Sequence, residues 1–170
     1  MKAFSCALAM LAALHGSSAM AQPASQRAAT YTIALMSPEL ALQAAQAAMH
    51  ACRLAGFQVS VAVVDRTGQT QVLLRDRLAG IHTVDAATDK AWTAASFKTG
   101  TTALAKATIS GTEAAGIRHI PRALAVGGGI PVEANGSLLG AIGISGAPSG
   151  AADDACARSG LAAIADDLNF

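Results

Sequence analysis

The chain has 170 residues, 52% of them hydrophobic but only 4% aromatic, with 12 basic against 11 acidic side chains. Charge this evenly balanced leaves no electrostatic footprint for nucleic acid or an anionic lipid surface, and no apolar run approaches the length of a membrane span. Abundant alanine with few aromatics predicts closely packed helices, with self-association as a route to more buried surface.

The first segment reads as an export signal. Met1-Lys2 supplies a minimal basic start, Ala3 to Leu14 an apolar run, and His15-Gly16-Ser17-Ser18 a break. Ala19-Met20-Ala21 then puts small residues where a signal peptidase inspects them, predicting cleavage before Gln22 and a periplasmic or secreted destination. Cys6 lies inside the apolar run and the residue directly after the cut is Gln22, not a cysteine, which argues against lipid attachment. Losing residues 1–21 from 170 leaves 149, a usual size for one domain, and losing Lys2 leaves 11 basic against 11 acidic residues. Residues 22–36 read as a flexible tail and 37–170 as the domain. Cys52 and Cys156 remain. An oxidising compartment would permit a disulfide between them, and two buried thiols packed as small apolar groups are the other reading.

Ser37-Pro38-Glu39 is a helix start, with a capping hydroxyl, proline at the first helical position and an acid near the positive end of the dipole. That helix is expected to run through Leu54 and stop at Gly56. Phe57 to Asp65 reads as a strand. Val59, Val61 and Val63 share one face and Ser60, Ala62 and Val64 the other, so both faces are expected to be covered. Arg66 to Gln69 is a turn, and Thr70 to Leu74 returns as the second arm of a hairpin. Thr83 to Phe97 has helical apolar spacing, and Thr101 or Thr102 caps a short helix through Lys106. Thr108 to His119 has no pattern. Arg122 to Val126 reads as a strand leading into Gly127-Gly128-Gly129, and Ile130-Pro131-Val132 as an edge or bulged strand. Asn135-Gly136 is a hairpin turn. Leu138 to Ser145 is the next strand, and Asp153-Asp154 open a last helix. The order predicts an α+β domain, an antiparallel sheet of about five strands with helices packed on it.

Common catalytic signatures are missing: no HExxH and no SxxK. Gly143-Ile144-Ser145-Gly146-Ala147 misses a nucleophile elbow by the position of its second glycine. The triple glycine precedes a proline-containing strand rather than a helix, so it is not a phosphate-binding loop. The two cysteines lack CxxC spacing, so a zinc site built on them is not expected.

Five segments in order carry a resemblance. They are Val61-Ala62-Val63-Val64-Asp65 with Gly68; Asp89-Lys90-Ala91-Trp92-Thr93-Ala94-Ala95-Ser96-Phe97; Gly127-Gly128-Gly129-Ile130-Pro131; Gly136 through Ala147; and Asp153-Asp154-Ala155-Cys156-Ala157. Together they resemble the GlcG/HbpS-like (DUF336) family of haem-binding proteins over about residues 38–168. The resemblance implies a profilin-like or sensor-domain-like sheet flanked by helices, and a homo-oligomer, often a ring or octamer. It also implies haem as cofactor, held in an exported member for storage, sensing or protection, with slow haem degradation as an accompanying activity and no dedicated enzyme site. The family's other settings imply two alternatives: an accessory enzyme or binding protein for a small organic acid or corrinoid-related substrate, and a ligand-free module that binds a partner such as an envelope sensor.

Haem iron needs an axial donor beside an apolar slot. On this reading His82, just before the second helix, is the first choice and His119 the second, while His50 on the first helix is a surface or packing residue. Lys90, Arg118 and Arg122 are candidates to pair with haem propionates. Trp92 and Phe97 are candidates to stack on the macrocycle, and Thr93 is a weak oxygen ligand by analogy with the haem-sensing branch.

Overall fold

The structure, a computed structural model, describes residues 29–168. The predicted signal peptide, Cys6 and residues 22–28 of the predicted tail lie outside the described residues.

Helix α1 (Pro38–Leu54) starts as its sequence dictates: Ser37 Oγ accepts from the Leu40 amide at 3.2 Å and Pro38 occupies the first turn. Strands β1 (Ser60–Asp65) and β2 (Thr70–Arg75) form the first hairpin. Asp65 Oδ1 ties its turn by accepting from the Thr67 hydroxyl at 2.6 Å and the Thr67 and Gln69 amides at 2.7 and 3.1 Å. Helices α2 (Thr83–Phe97) and α3 (Thr101–Ala107) follow, then a 3₁₀ segment, Glu113–His119. Strands β3 (Gly129–Ala134) and β4 (Ser137–Ser145) make the second hairpin, and α4 (Gly150–Ala162) follows. The domain's packing begins one residue before the predicted boundary. Met36 is buried, and its carbonyl accepts from Gln71 Nε2.

The two hairpins join through their inner strands, giving one antiparallel sheet in the order β2-β1-β4-β3. Among the described residues the sheet has four strands, not about five. The predicted strand at residues 122–126 is a loop instead, because Arg122 takes a left-handed φ of 71° and the hydroxyl of Thr93 holds both sides of that bend. Thr93 Oγ1 donates to the Arg122 carbonyl and accepts from the Leu124 amide, so these backbone groups have a side-chain partner in place of a ladder. Pro131 lies on β3, an edge strand, where its missing amide costs least.

Both faces of the sheet are covered. Val59, Val61, Val63, Leu139, Ile142 and Ile144 pack under α1 and α4 in the larger core. Ala62, Val64 and Ala141 pack under Ala87, Ala91, Ala94 and Ala95 of α2 in the smaller one. Leu139 reaches the larger core through a bulge: Val132 pairs with Gly140 and Glu133 with Leu138, leaving Leu139 the extra residue. Cys52 of α1 and Cys156 of α4 are joined as a disulfide beneath these helices, with Cα atoms 5.4 Å apart.

The alanine face of α2 lets its backbone sit almost on the sheet. A Cβ on Gly143 would lie 2.1 Å from the Ala87 carbonyl and 2.6 Å from the Ala91 nitrogen, so only glycine lets α2 dock there. Gly143→Ala should therefore separate α2 from β4, with a loss of about 3 kcal/mol as overpacking against backbone. Chemical denaturation of the variant beside the parent protein measures it, and a change under about 0.5 kcal/mol would show that α2 has room to move.

Candidate functional site

A buried polar cluster ties the middle of α2 to the start of α4 and the end of β4. Lys90 is only 3% exposed. Its position follows from helical spacing, since it falls on the stripe formed by Ala87, Ala91 and Ala94. Its ammonium donates to Asp153 Oδ2 at 2.7 Å and to the Ile144 carbonyl at 2.9 Å. Asp153 Oδ1 accepts from the Ala147 amide, and Asp154 accepts from the Gly128 amide and the Thr102 hydroxyl. Gly128 has a φ of 120°, and a Cβ there would meet the Ile144 carbonyl at 2.5 Å and Lys90 Nζ at 3.0 Å. Burial pushes the Asp153 carboxyl up from its ordinary value, against the Lys90 ammonium and the Ala147 amide, which favour its ionised form.

Above this cluster lies a cleft of about 420 Å³ lined by Gly80, His82, Thr83, Lys90, Val126, the 145–150 loop and Asp153. Thr83 is buried, its hydroxyl paired with Ser60 and the Gly80 carbonyl. His82 is exposed at the first turn of α2 and makes no side-chain capping bond. Among the described residues its imidazole has no hydrogen-bond partner. The apolar part of the cleft's lining is Val126, Ala147 and Pro148, among polar residues and glycines, and Leu78 and Ile81, exposed, precede His82 in the chain. A haem ligand requires a free imidazole nitrogen beside apolar surface, for which His82 supplies the nitrogen and Val126, Ala147 and Pro148 the surface.

The other predicted residues are placed elsewhere. Lys90 shares the cleft with His82, but its charge is spent inside the protein on Asp153. Thr93 is fully buried, with its hydroxyl spent on the Arg122–Leu124 bend. Arg122 pairs with Asp89 at 3.1 Å and lies over the Trp92 ring, 5.1 Å from its centroid. Trp92 in turn packs against Gly68 of the first hairpin and lines a separate cavity of about 250 Å³. Arg118 donates to the carbonyls of Ala105 and Thr108, tying the 3₁₀ segment to the end of α3. His119 ends that segment, exposed, and His50 is exposed on α1. Phe97, half-buried, closes α2. Among the described residues no group of three His, Cys, Asp or Glu side chains could hold a metal ion, and no helix is long and apolar enough to cross a membrane.

The comparisons with known proteins follow this geometry. Residues 36–162 match the family described as haem degrading protein HbpS-like. The chain belongs to the HbpS-like family. It is similar to Streptomyces reticuli HbpS, solved as a double mutant, at 41% identity and a TM-score of 0.76, covering 85% of this chain and 97% of that one. The PduOC protein, solved in complex with haem, shares 30% identity at a TM-score of 0.72, covering 76% of this chain and 95% of that one. An uncharacterised 15.0 kDa protein of Citrobacter freundii, from the dhaT-dhaS intergenic region, is 33% identical over 124 residues, 72% of this chain and 84% of its own. The HbpS-like fold and the α+β architecture read from the sequence agree.

The partners of Lys90 were missed in the sequence reading. Their signal was present, because Asp153 shares a helical stripe with Cys156, Ala157 and Gly160 just as Lys90 shares one with alanines. Lys90→Met should destabilise the protein by about 3–5 kcal/mol by stranding a buried carboxylate, whereas Lys90→Met with Asp153→Leu should recover most of that loss. The single variant's deficit should shrink in acid, since a carboxyl with a raised pKa gives up stability as pH rises and regains it once protonated. Denaturant unfolding of the four-membered cycle at two pH values measures both. A double variant no more stable than the single one would show that the pair is not a self-contained unit.

Asp76 obeys the opposite sign. The Arg53 guanidinium, bonded through Nε at 2.7 Å and Nη2 at 3.0 Å, holds its carboxyl below the usual range against the effect of burial. A lowered pKa stabilises the fold above the ordinary carboxylate range, and that stability is lost as pH falls through the depressed value. Asp76→Asn should thus be less stable than the parent at neutral pH, with the difference vanishing in strong acid. A pH series of thermal midpoints checks it, and a pH-independent difference would assign the effect to packing alone.

Proposed function

We propose that this protein is an exported haem-binding homo-oligomer, with His82 as the axial ligand and storage, sensing or protection of haem as its role. The observation that carries the reading is the exposed His82 imidazole, without a hydrogen-bond partner, on a cleft that it shares with Val126, Ala147 and Pro148, in a chain of the HbpS-like family. The PduOC relative in complex with haem supports the ligand class. Haem, when bound, supplies the redox-active iron, and slow degradation of haem by an oxidant is the accompanying activity that the family description suggests.

The chain's own residues hold and orient the ligand. His82 would hold the iron through a ring nitrogen. Val126 of the cleft, with the exposed Leu78 and Ile81 of the loop between β2 and α2, would offer apolar surface to the ligand. The Lys90–Asp153 pair fixes the floor beneath it without spending charge on the ligand. The cleft is open, and a second copy of the chain would cover the macrocycle's other face, which is the reason for proposing an oligomer rather than a monomer. The signal-like residues 1–21 and the Cys52–Cys156 disulfide support export to an oxidising compartment.

Titration of the purified protein with haemin should give a saturable Soret shift at micromolar haemin. His82→Ala should change the Soret position and weaken binding by about ten-fold or more, and His119→Ala should leave both unchanged. No saturable shift would overturn the haem reading, and a spectrum altered by His119→Ala alone would move the ligand to the 3₁₀ segment.

A further inference from the structure

The loop between β2 and α2, residues 76–82, borders a second cleft. It encloses about 680 Å³ and is lined by Arg53, Gln58, Arg75, Asp76 and Arg77, none of which lines the His82 cleft. Three guanidinium groups thus share one cavity with one carboxylate. That carboxylate is committed: Asp76 Oδ2 accepts from Arg53 Nε, and Oδ1 accepts from Arg53 Nη2 and the Arg77 amide. Arg75 donates through Nη2 to the Ala79 carbonyl, which bears no charge. Among the described residues the Arg77 guanidinium makes no hydrogen bond or ion pair, and acts on Asp76 only through its nearby charge. Two positive charges are therefore left over in one cavity of a chain whose charges otherwise balance.

We infer that this cleft binds a doubly charged anion bearing carboxylate or phosphate oxygens. Guanidinium is the group suited to it, since its planar fork donates two parallel hydrogen bonds to such oxygens and stays charged at any working pH. Arg53 is already held in place by its two hydrogen bonds to Asp76, so one guanidinium of the site is ordered before the ligand arrives. The ligand chemistry has two sources. One is the pair of propionates of a haem whose iron meets His82, an assignment that rests on the proposed function. Arg75 reaches the carbonyl of Ala79, three residues and at most about 11 Å of chain from His82. The other is a free small dianion bound independently of haem.

Three probes separate these sources: haemin, haemin dimethyl ester, which lacks the propionate charges, and succinate or inorganic phosphate. They are titrated into the parent protein, Arg75→Gln/Arg77→Gln and Arg77→Glu. The single variant guards against loss of the Arg75–Ala79 bond, because the Arg77 side chain makes no hydrogen bond or ion pair of the fold. If propionates occupy the cleft, both variants should weaken haemin by about ten-fold or more, leave the ester unaffected and keep the Soret position, since the axial ligand is untouched. If a free dianion occupies it, calorimetry should show succinate or phosphate binding to the parent and not to the variants, with haemin unchanged. Folded variants that bind every probe as the parent does, or a parent that binds no dianion in either form, would overturn the inference. A parent that binds succinate or phosphate but no haemin would overturn the haem reading and leave this one standing.

Discussion

Everything about this domain turns on one buried ion pair. Lys90 lies on the helix that covers one face of the sheet and Asp153 on a helix that covers the other, and they meet at the end of β4. The β3 ladder ends where Gly129 pairs with Gly143. Just past that point the Ile144 amide still donates to the Gly128 carbonyl, but the Ile144 carbonyl accepts from Lys90 Nζ and the Gly128 amide donates to Asp154, so side chains take the other half of that pairing. A pair this dry gains little net stability, because desolvating both charges costs about what their attraction returns. Its consequence is positional. A shift of α2 along the sheet, or of α4 across it, would strand a charge in an apolar interior, so the two layers are locked in one register.

That lock explains why the glycines fall where they do. Lys90 can reach around the strand end only if α2 lies almost on the sheet, which Gly143 permits, and only if the loop at Gly128 leaves room for the ammonium. The alanine-rich helix, the glycine in the strand and the glycine-rich loop are three parts of one requirement, that helix and sheet approach within backbone contact.

The fold was largely legible in the sequence because its signals are local. Ser37-Pro38 starts α1, the alternating valines of β1 face two cores, and Asn135-Gly136 turns the second hairpin with both residues at positive φ. The fifth strand was misread because Arg122–Val126 has strand-like composition, while its backbone partner is Thr93, 29 residues away in sequence from Arg122. No periodicity reports such a contact. The candidate site was legible only in part. His82 and Lys90 do line one cleft, but whether a charge faces a ligand or a partner depends on the opposite element. For Lys90 that element is α4, and the clue lay in its apolar helical stripe rather than in its charge.

The β2–α2 loop is the counterpart to the ion pair. It is short and has no regular structure, yet it carries His82 at one end and Asp76 at the other. Asp76 is buried, donates its amide to the Val59 carbonyl and binds Arg53 of α1 with both oxygens. The loop is thereby anchored to β1 and to the end of α1, and Thr83, bonded to Ser60 of β1, anchors its far end. Between these two fixed points Leu78 and Ile81 are left facing water. Exposing large apolar side chains on a loop whose ends are rigidly held costs solvation with no gain in folding, so their placement makes physical sense where something apolar covers them. On the proposed function, a flat macrocycle held by His82 would be such a cover, and the arginines beside Asp76 would meet its charged edge.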